Sequence, residues 1–403
     1  MTDVAKRLDE LRRAGLHRRL RLIEGPQGPR VLLDGAEVLL LCSNNYLGLA
    51  DHPRVREAAA EAAQRYGAGA GASRLVSGTM TLHRGLEERL TAFHGKGAGL
   101  LFGSGYLANT GVVAALAGRD EVVFSDELNH ASIIDGCRLS RAESFVYKHR
   151  DTDHLAWGLE RAKGRGALIV TDAVFSMDGD VAPIGELAAL AQRHRCRLMV
   201  DEAHAVGTLG PGGRGAAAAA GMTDQVDVIV GTLGKSLGSY GAYVCTGGDI
   251  VELLVNTARP FIFSTAPPPP SVAAAIAALA ILNARPGLVE QLRRNGATLR
   301  EALGQQGLAP GRSRTQIVPL IVGDPRQAMA LCERSLEERV FAQAIRPPTV
   351  PAGSSRLRLA VMATHSSDEL RAAARVIGRG ARELGLISRA ARMARDDGLG
   401  RAA

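Results

Sequence analysis

The sequence predicts an α/β fold: a mainly parallel central sheet with helices on both faces, and a smaller α+β domain towards the carboxyl end. Three observations carry that prediction. Between about residue 41 and residue 250, helical patterns alternate with short apolar runs bounded by turns, as in successive β-α-β units. Those runs, such as ALIVT (167–171) and RLMV (197–200), are nearly continuous, which suits strands covered on both faces. Finally, Pro267–Pro270 interrupts the chain, and two long helical runs and two strand-like segments follow it.

The elements follow in order. Residues 1–24 read as an amphipathic helix, with Val4, Leu8, Leu11 and Leu16 near helical spacing. Residues 31–41 read as a short hairpin about Asp34-Gly35. Helices are expected at 53–66 and 81–93, and strands at 99–102, 121–125, 167–171, 197–200 and 226–230. Beyond the prolines come helices at 271–284 and 287–306, a strand at 317–322, a helix at 326–338 and a strand at 356–361. The expected division is a helix-and-hairpin arm (1–40), a large domain (41–270), a small domain (271–387) and a loose basic tail (388–403). No internal repeat is visible.

Composition excludes several classes. Of 403 residues, 46% are apolar and 22% charged, as in ordinary globular chains, so disorder and disulfide-rich scaffolds are excluded for the bulk. No run approaches about 20 apolar residues, so no membrane span is expected. The first residues carry charges where an export signal would be apolar, and a cytoplasmic protein is expected. The net charge of +8 raises nucleic acid as a partner. However, eight Lys/Arg against four Asp/Glu fall in residues 1–30, and four Arg against two Asp in residues 388–403. The middle is nearly balanced, and no nucleic-acid partner is expected. A basic amino-terminal helix reads as a solvated face or as a contact for an acidic carrier protein. Cys42, Cys137, Cys196, Cys245 and Cys332 form no CxxC and suit reduced thiols. The histidines are scattered and no metal site is expected.

Chemistry-bearing residues fall at strand ends, where sites in such sheets form. Gly103-Ser104-Gly105-Tyr106, between a strand and a helix, is either a tight turn or a phosphate cradle of free backbone N–H groups. Asp201 ends a strand; there it either caps a turn or pairs with a cation such as a protonated ring nitrogen. His204 follows three residues later. Lys235, in a glycine-flanked turn, is a surface lysine or a Schiff-base former. Gly234-Lys235-Ser236 echoes a phosphate-binding loop, but position 229 is Ile where that motif needs Gly. Gly67–Gly71 has the wrong spacing for a dinucleotide fingerprint. A phosphate cradle, an acid for a ring nitrogen, a Schiff-base lysine and an aromatic histidine together are what pyridoxal phosphate requires.

Eight segments match one family in order and spacing: SNNYLGL (43–49), GASRLVSGT (71–79), LH (82–83), GSGYLANTG (103–111), NHASIIDG (129–136), VFSMDGD (174–180), VDEAHAVGTLGPGGRG (200–215) and GTLGKSLGS (231–239). The chain resembles the α-oxoamine synthases, enzymes of the fold-type-I pyridoxal phosphate class, from about residue 39 to residue 365. The resemblance implies that Lys235 carries the cofactor as a Schiff base. It implies that Asp201 pairs with the ring nitrogen, that His204 and Ser176 lie near the phenolic oxygen, and that His130 stacks on the ring. Gly105 and Tyr106 offer backbone donors to the phosphate, and Thr232 adds a hydroxyl. Ser264 and Thr265 reach the phosphate of a second copy, so a homodimer is implied. Arg356 holds the amino-acid carboxylate, with Asn44 near the substrate. Arg suits that role because its planar fork makes paired charge-assisted bonds.

AIRPPTVPAGSSRLRL (344–359) resembles the biotin-pathway members of that family. This implies a transferase joining L-alanine to a pimeloyl thioester of coenzyme A or acyl carrier protein. A sister activity using glycine or serine is the alternative. Tyr240, the length of the 267–270 proline run and the basic tail depart from the family pattern.

Overall fold

The structure, a computed structural model, describes residues 3–387. The expected loose tail, 388–403, lies outside the described residues. Two compact units emerge, one of 49–176 with 180–289, the other of the residues up to 48 with 177–179 and those from 290 onward. The dividing lines differ from the expected ones. The helix Pro269–Ala284 follows the prolines, yet it packs on helices Pro53–Tyr66 and Thr81–His94 of the larger unit. Its apolar surface, from Val272 to Leu282, is buried there. The hairpin expected as a separate arm belongs to the smaller unit.

In the smaller unit, β1 (Ile23–Glu24), β2 (Arg30–Leu33) and β3 (Ala36–Leu40) form an antiparallel ribbon. Asp34 and Gly35 both have positive φ, 48° and 79°, which is the turn geometry that a two-residue hairpin needs. The helix expected over 1–24 is shorter, Val4–Arg13, and none of its residues is buried. It stops because Gly15 turns left-handed at φ 67°.

The larger unit holds a seven-stranded sheet of β4 (Ala98–Phe102), β5 (Val122–Asp126), β6 (Glu143–Tyr147), β7 (Gly166–Asp172), β8 (Arg197–Asp201), β9 (Val228–Thr232) and β10 (Ala242–Thr246). The order is β4-β10-β9-β8-β7-β5-β6. The strands from β9 across to β6 run parallel, and β10 is antiparallel to both β4 and β9. The expected strands are all present. β6 and β10 join them; β6 is mostly exposed, with only Tyr147 buried, and lacks the continuous apolar signature.

In the smaller unit, β11 (Ile317–Gly323), β12 (Val340–Phe341), β13 (Gln343–Ile345) and β14 (Ser355–Ala360) follow. β12 extends the amino-terminal ribbon, and β11, β14 and β13 form a separate antiparallel sheet. Leu357 and Leu359 of β14 are fully buried and alternate with Arg356 and Arg358. Strand periodicity therefore places both arginines on one face. Among the described residues no single helix is long and apolar enough to cross a membrane.

Two close approaches shape the large sheet. Tyr243 on β10 lies opposite Gly231 on β9, and its hydroxyl sits 2.8 Å from His94 Nε2. A Cβ at residue 231 would lie 2.2 Å from the Tyr243 ring. Burial and the nearby Lys96 charge lower His94 to about 3, so it stays a neutral partner for the hydroxyl. Gly136, on helix Ala131–Ser140, brings that helix against Asn109 and Val113 of helix Gly105–Leu116; a Cβ there would meet the Asn109 carbonyl at 3.0 Å. Replacing Gly231 by Ala should therefore destabilise the chain by about 1–3 kcal/mol, the usual range for overpacking. Urea denaturation of G231A against wild type measures it.

Candidate active site

In the larger unit the site grows from the carboxyl ends of β7, β8 and β9 and from the helix that follows β4. β8 ends at Asp201, 4% exposed, beside Asp172 at the end of β7. A buried carboxylate needs donors. Asn109 Nδ2 donates to Asp201 Oδ2 at 2.6 Å, and the backbone N–H of Ala203 donates to Oδ1 at 2.8 Å. The Asn109 amide also donates to Ser132 Oγ at 2.9 Å, which ties the two helices that meet at Gly136. Asn109 Oδ1 is buried without a hydrogen-bond partner.

Asp172 stands next to this charge. Burial, and then the Asp201 carboxylate, push its pKa well above the ordinary value. Its Oδ2 accepts the His130 backbone N–H at 2.7 Å, and its own N–H donates to Asn129 Oδ1 at 2.8 Å. The His130 ring is held at Nδ1 by Ser132 Oγ, 2.7 Å away. Partial desolvation lowers its pKa; Asp201 pulls it up and Lys235 down.

Lys235 lies in the loop from β9 to β10, its Nζ 2.9 Å from His204 Nε2. The loop closes on itself through Leu233 and Gly241, and Ser236 Oγ donates to the Val206 carbonyl at 2.6 Å. That bond joins the lysine loop to the turn carrying His204. Gly238, with φ 58°, is needed here, since a Cβ would meet Ala50 N at 2.4 Å. Glu202, between Asp201 and His204 in sequence, accepts the N–H groups of Ala216 and Ala217. Burial nonetheless raises it to about 7.

The helix after β4 starts at Gly105, capped by Ser104 Oγ, which accepts from Leu107 N at 3.2 Å. Nothing lies within 4 Å of where a Gly105 Cβ would be, so the helix start is open. The Tyr106 side chain is exposed and donates to Asp135, which raises the phenol's pKa and lowers the carboxyl's. Thr232 Oγ1 donates to the Gly241 carbonyl and accepts from Gly234 N, both at 3.2 Å. Ser176 lies in a short hairpin closed by a bridge between Val174 and Val181. Thr265 bridges to Ser73, beside half-buried Ser264 and exposed Phe263.

Arg356 and Asn44 fall in the smaller unit. Arg356 donates to Asp178 and to the Met177 and Ser354 carbonyls. Arg358, on the same strand face, donates to Asn44 Oδ1 and Tyr46 OH, each at 3.2 Å. The structure thus gathers Lys235, His204, Asp201 and His130 with Asn109, Ser132 and Asp172 in one unit, and Asn44 with Tyr46 and Arg358 in the other. Sequence reasoning passed over Asn109, Tyr46, Asp178 and Arg358, and noted Asp172 at its strand end without giving it a role. Asn109, Asp178 and Tyr46 lie inside quoted motifs and Arg358 inside RLRL, so the available signal was a polar residue one turn or one pleat from a chosen one.

The aminotransferase class I and II family model matches residues 36–377. An 8-amino-7-oxononanoate synthase from Geobacter metallireducens is 53% identical, over 95% of this chain and 99% of that protein. A serine palmitoyltransferase from S. paucimobilis, solved with a bound PLP–myriocin aldimine, is 32% identical, with TM-score 0.90 over 95% of this chain and 97% of its own. The 8-amino-7-oxononanoate synthase structure from Francisella tularensis is 26% identical, with TM-score 0.74 over 86% of this chain and 98% of its own. The chain belongs to the aminotransferase class I and II family and, within it, to the α-oxoamine synthases, which are pyridoxal 5′-phosphate enzymes of fold type I.

The residues present fit that cofactor. A buried, donor-held carboxylate matches a protonated ring nitrogen, the open helix start at Gly105 matches a phosphate, and the Lys235–His204 pair matches a Schiff-base site. Asn109→Ala removes one donor from Asp201. Hydrogen bonds to charged groups are worth about 1.5–3 kcal/mol, so turnover at saturating cofactor should fall about 10–100-fold. Steady-state assays check the loss, and circular dichroism checks that the fold is kept.

Proposed function

We propose that this chain joins L-alanine to a pimeloyl thioester, releasing CO2 and the free thiol and yielding 8-amino-7-oxononanoate for biotin synthesis. The observation that carries the reading is the likeness over nearly the whole chain to proteins of that name. The Lys235–His204–Asp201 arrangement supports it.

When bound, the cofactor supplies an electron-accepting ring that takes up the pair left on the amino acid's Cα. Asp201, Lys235, His130, Ser176, Thr232 and the backbone of Gly105 and Tyr106 would hold it. Asp201, whose carboxylate accepts from Asn109 and the Ala203 N–H, would pair with the cofactor's ring nitrogen. Lys235 Nζ, kept in place by His204, takes the Cα proton and returns one at the end. Between those events Cα bonds to the thioester carbonyl carbon, the thiolate leaves, and the alanine carboxylate departs as CO2. His130 would stack on the ring and exclude water from that face.

The amino-acid carboxylate is assigned to the Arg356–Arg358 face. Arg356 already meets a carboxylate, Asp178, whereas the Arg358 bonds to Asn44 and Tyr46 go to neutral side chains. Arg356 is the proposed receptor, with Arg358 and Asn44 on the same unit beside it. The protein is placed in the cytoplasm as a homodimer in which Ser264 and Thr265 serve the other copy's phosphate. Exposed Phe263, Leu75, Val76 and Tyr240 support that pairing, since side chains of this size are usually covered. The thiol carrier is coenzyme A or acyl carrier protein.

The serine palmitoyltransferase likeness favours a second reading, a sister condensation with serine or glycine. Steady-state turnover of pimeloyl thioester with L-alanine, glycine and L-serine separates the two: L-alanine should be preferred, and preference for another amino acid would transfer the assignment to the sister activity. Lys235→Ala should lower turnover by about 1,000-fold or more while keeping the fold, and wild-type turnover in that variant would overturn the mechanism. Arg356→Ala should raise KM for the amino acid about 10–100-fold, and Arg358→Ala is compared beside it. Parallel titrations of the two variants with L-alanine measure the difference.

A further inference from the structure

We propose that His149 is a positioning residue, an imidazolium clamped between Asp126 and Asp180 that holds the hairpin presenting Ser176. The inference rests on the functional reading above, in which Ser176 meets the cofactor's phenolic oxygen.

His149 Nδ1 lies 2.9 Å from Asp126 Oδ1, and Nε2 lies 2.7 Å from Asp180 Oδ2. Both ring nitrogens therefore face carboxylate oxygens. A neutral imidazole carries a single N–H and would turn a lone pair towards one of those oxygens. The doubly protonated ring satisfies both. Asp126 is fixed at the end of β5, where its carboxylate also accepts the backbone N–H groups of Leu128 and Arg150, each at 2.9 Å. Asp180 closes the hairpin, because the Phe175 N–H donates to its carbonyl at 3.0 Å. The Phe175 ring meets the His149 ring edge-on, with centroids 4.3 Å apart. Ser176 follows Phe175 directly, so the clamp grips the backbone on both sides of it.

The charged groups facing the ring are those two aspartates, Glu127, whose carboxylate accepts the His149 backbone N–H at 3.0 Å, and Arg150, whose guanidinium lies 3.3 Å from Asp180. Burial opposes the ring's charge, but the hydrogen bonds and charges of Asp126 and Asp180 outweigh it and raise His149 to about 9. A raised histidine lends its full stabilisation below its ordinary value, near 6.5, and loses it as pH rises through about 9. The hairpin should therefore loosen above about pH 9 in wild type.

The test has two readouts. Hydrogen exchange of residues 174–181, corrected for intrinsic rate, should be slow at pH 7 and faster at pH 10 in wild type. It should be fast at both in His149→Gln, with β8 unchanged. Apoenzyme titrated with pyridoxal phosphate should bind about tenfold more weakly in His149→Gln and in Ser176→Ala. The double variant should also lose about tenfold rather than about a hundredfold, because the two residues act through one contact. Additive losses, or exchange unaffected by the substitution, would overturn the inference alone. Absence of cofactor binding by wild type would overturn the functional reading and this inference with it. Should His149→Gln not fold, Asp180→Asn removes the same clamp and carries the same expectations.

Discussion

A carboxylate buried at the end of an interior strand is the constraint on which the rest of this site depends. Asp201 cannot remain charged at the edge of an apolar sheet without donors, and the effective cost of an unpaired buried ion is several kcal/mol. One donor is the Ala203 N–H, which the turn after β8 supplies at no further demand. The other is Asn109, which requires a helix to pass directly over the strand end. That demand extends outward. Asn109 is fixed through Ser132 on the next helix, and the two helices approach closely because residue 136 has no side chain. Ser132 in turn holds the His130 ring. The residues of the candidate site thus share one polar network, anchored by packing rather than by exposed ion pairs.

The same charge governs its neighbours. Asp172 sits beside Asp201 in register, and two buried carboxylates so placed cannot both ionise readily. Burial and the Asp201 carboxylate raise its pKa, and it accepts the His130 backbone N–H. Lys235 supplies the nearby positive charge, held by His204 from the turn that follows Asp201. Glycines on β9 and in the lysine loop are structural requirements. Gly231 admits the Tyr243 ring, and Gly238 turns left-handed against Ala50.

A second pattern repeats in the smaller unit, where alternation along β14 buries Leu357 and Leu359 and sends Arg356 and Arg358 to one face. The two arginines differ in their partners. Arg356 is neutralised by Asp178, and Arg358 meets Asn44 and Tyr46. A pair of identical side chains two residues apart thus meets different partners. Nothing in the local sequence distinguishes them, because both occupy the same phase of the same strand.

The sequence by itself determined the alternating sheet, the five apolar strands and the residues at their ends. Those features depend on local periodicity and on residue type, which the chain carries within short windows. The strand-end positions of Lys235, Asp201, His204 and His130 were legible for that reason, and the order of eight motifs identified the family. The tertiary structure decided what depends on residues distant in the chain. It decided that Asn109 rather than solvent satisfies Asp201, 92 positions away, and that the helix after the prolines joins the larger unit. It decided that the amino-terminal helix ends at Arg13 without a buried face, and that His149 lies between two aspartates from different segments. Hydrogen-bond partners and burial are properties of the folded packing, and no periodicity along one segment records them.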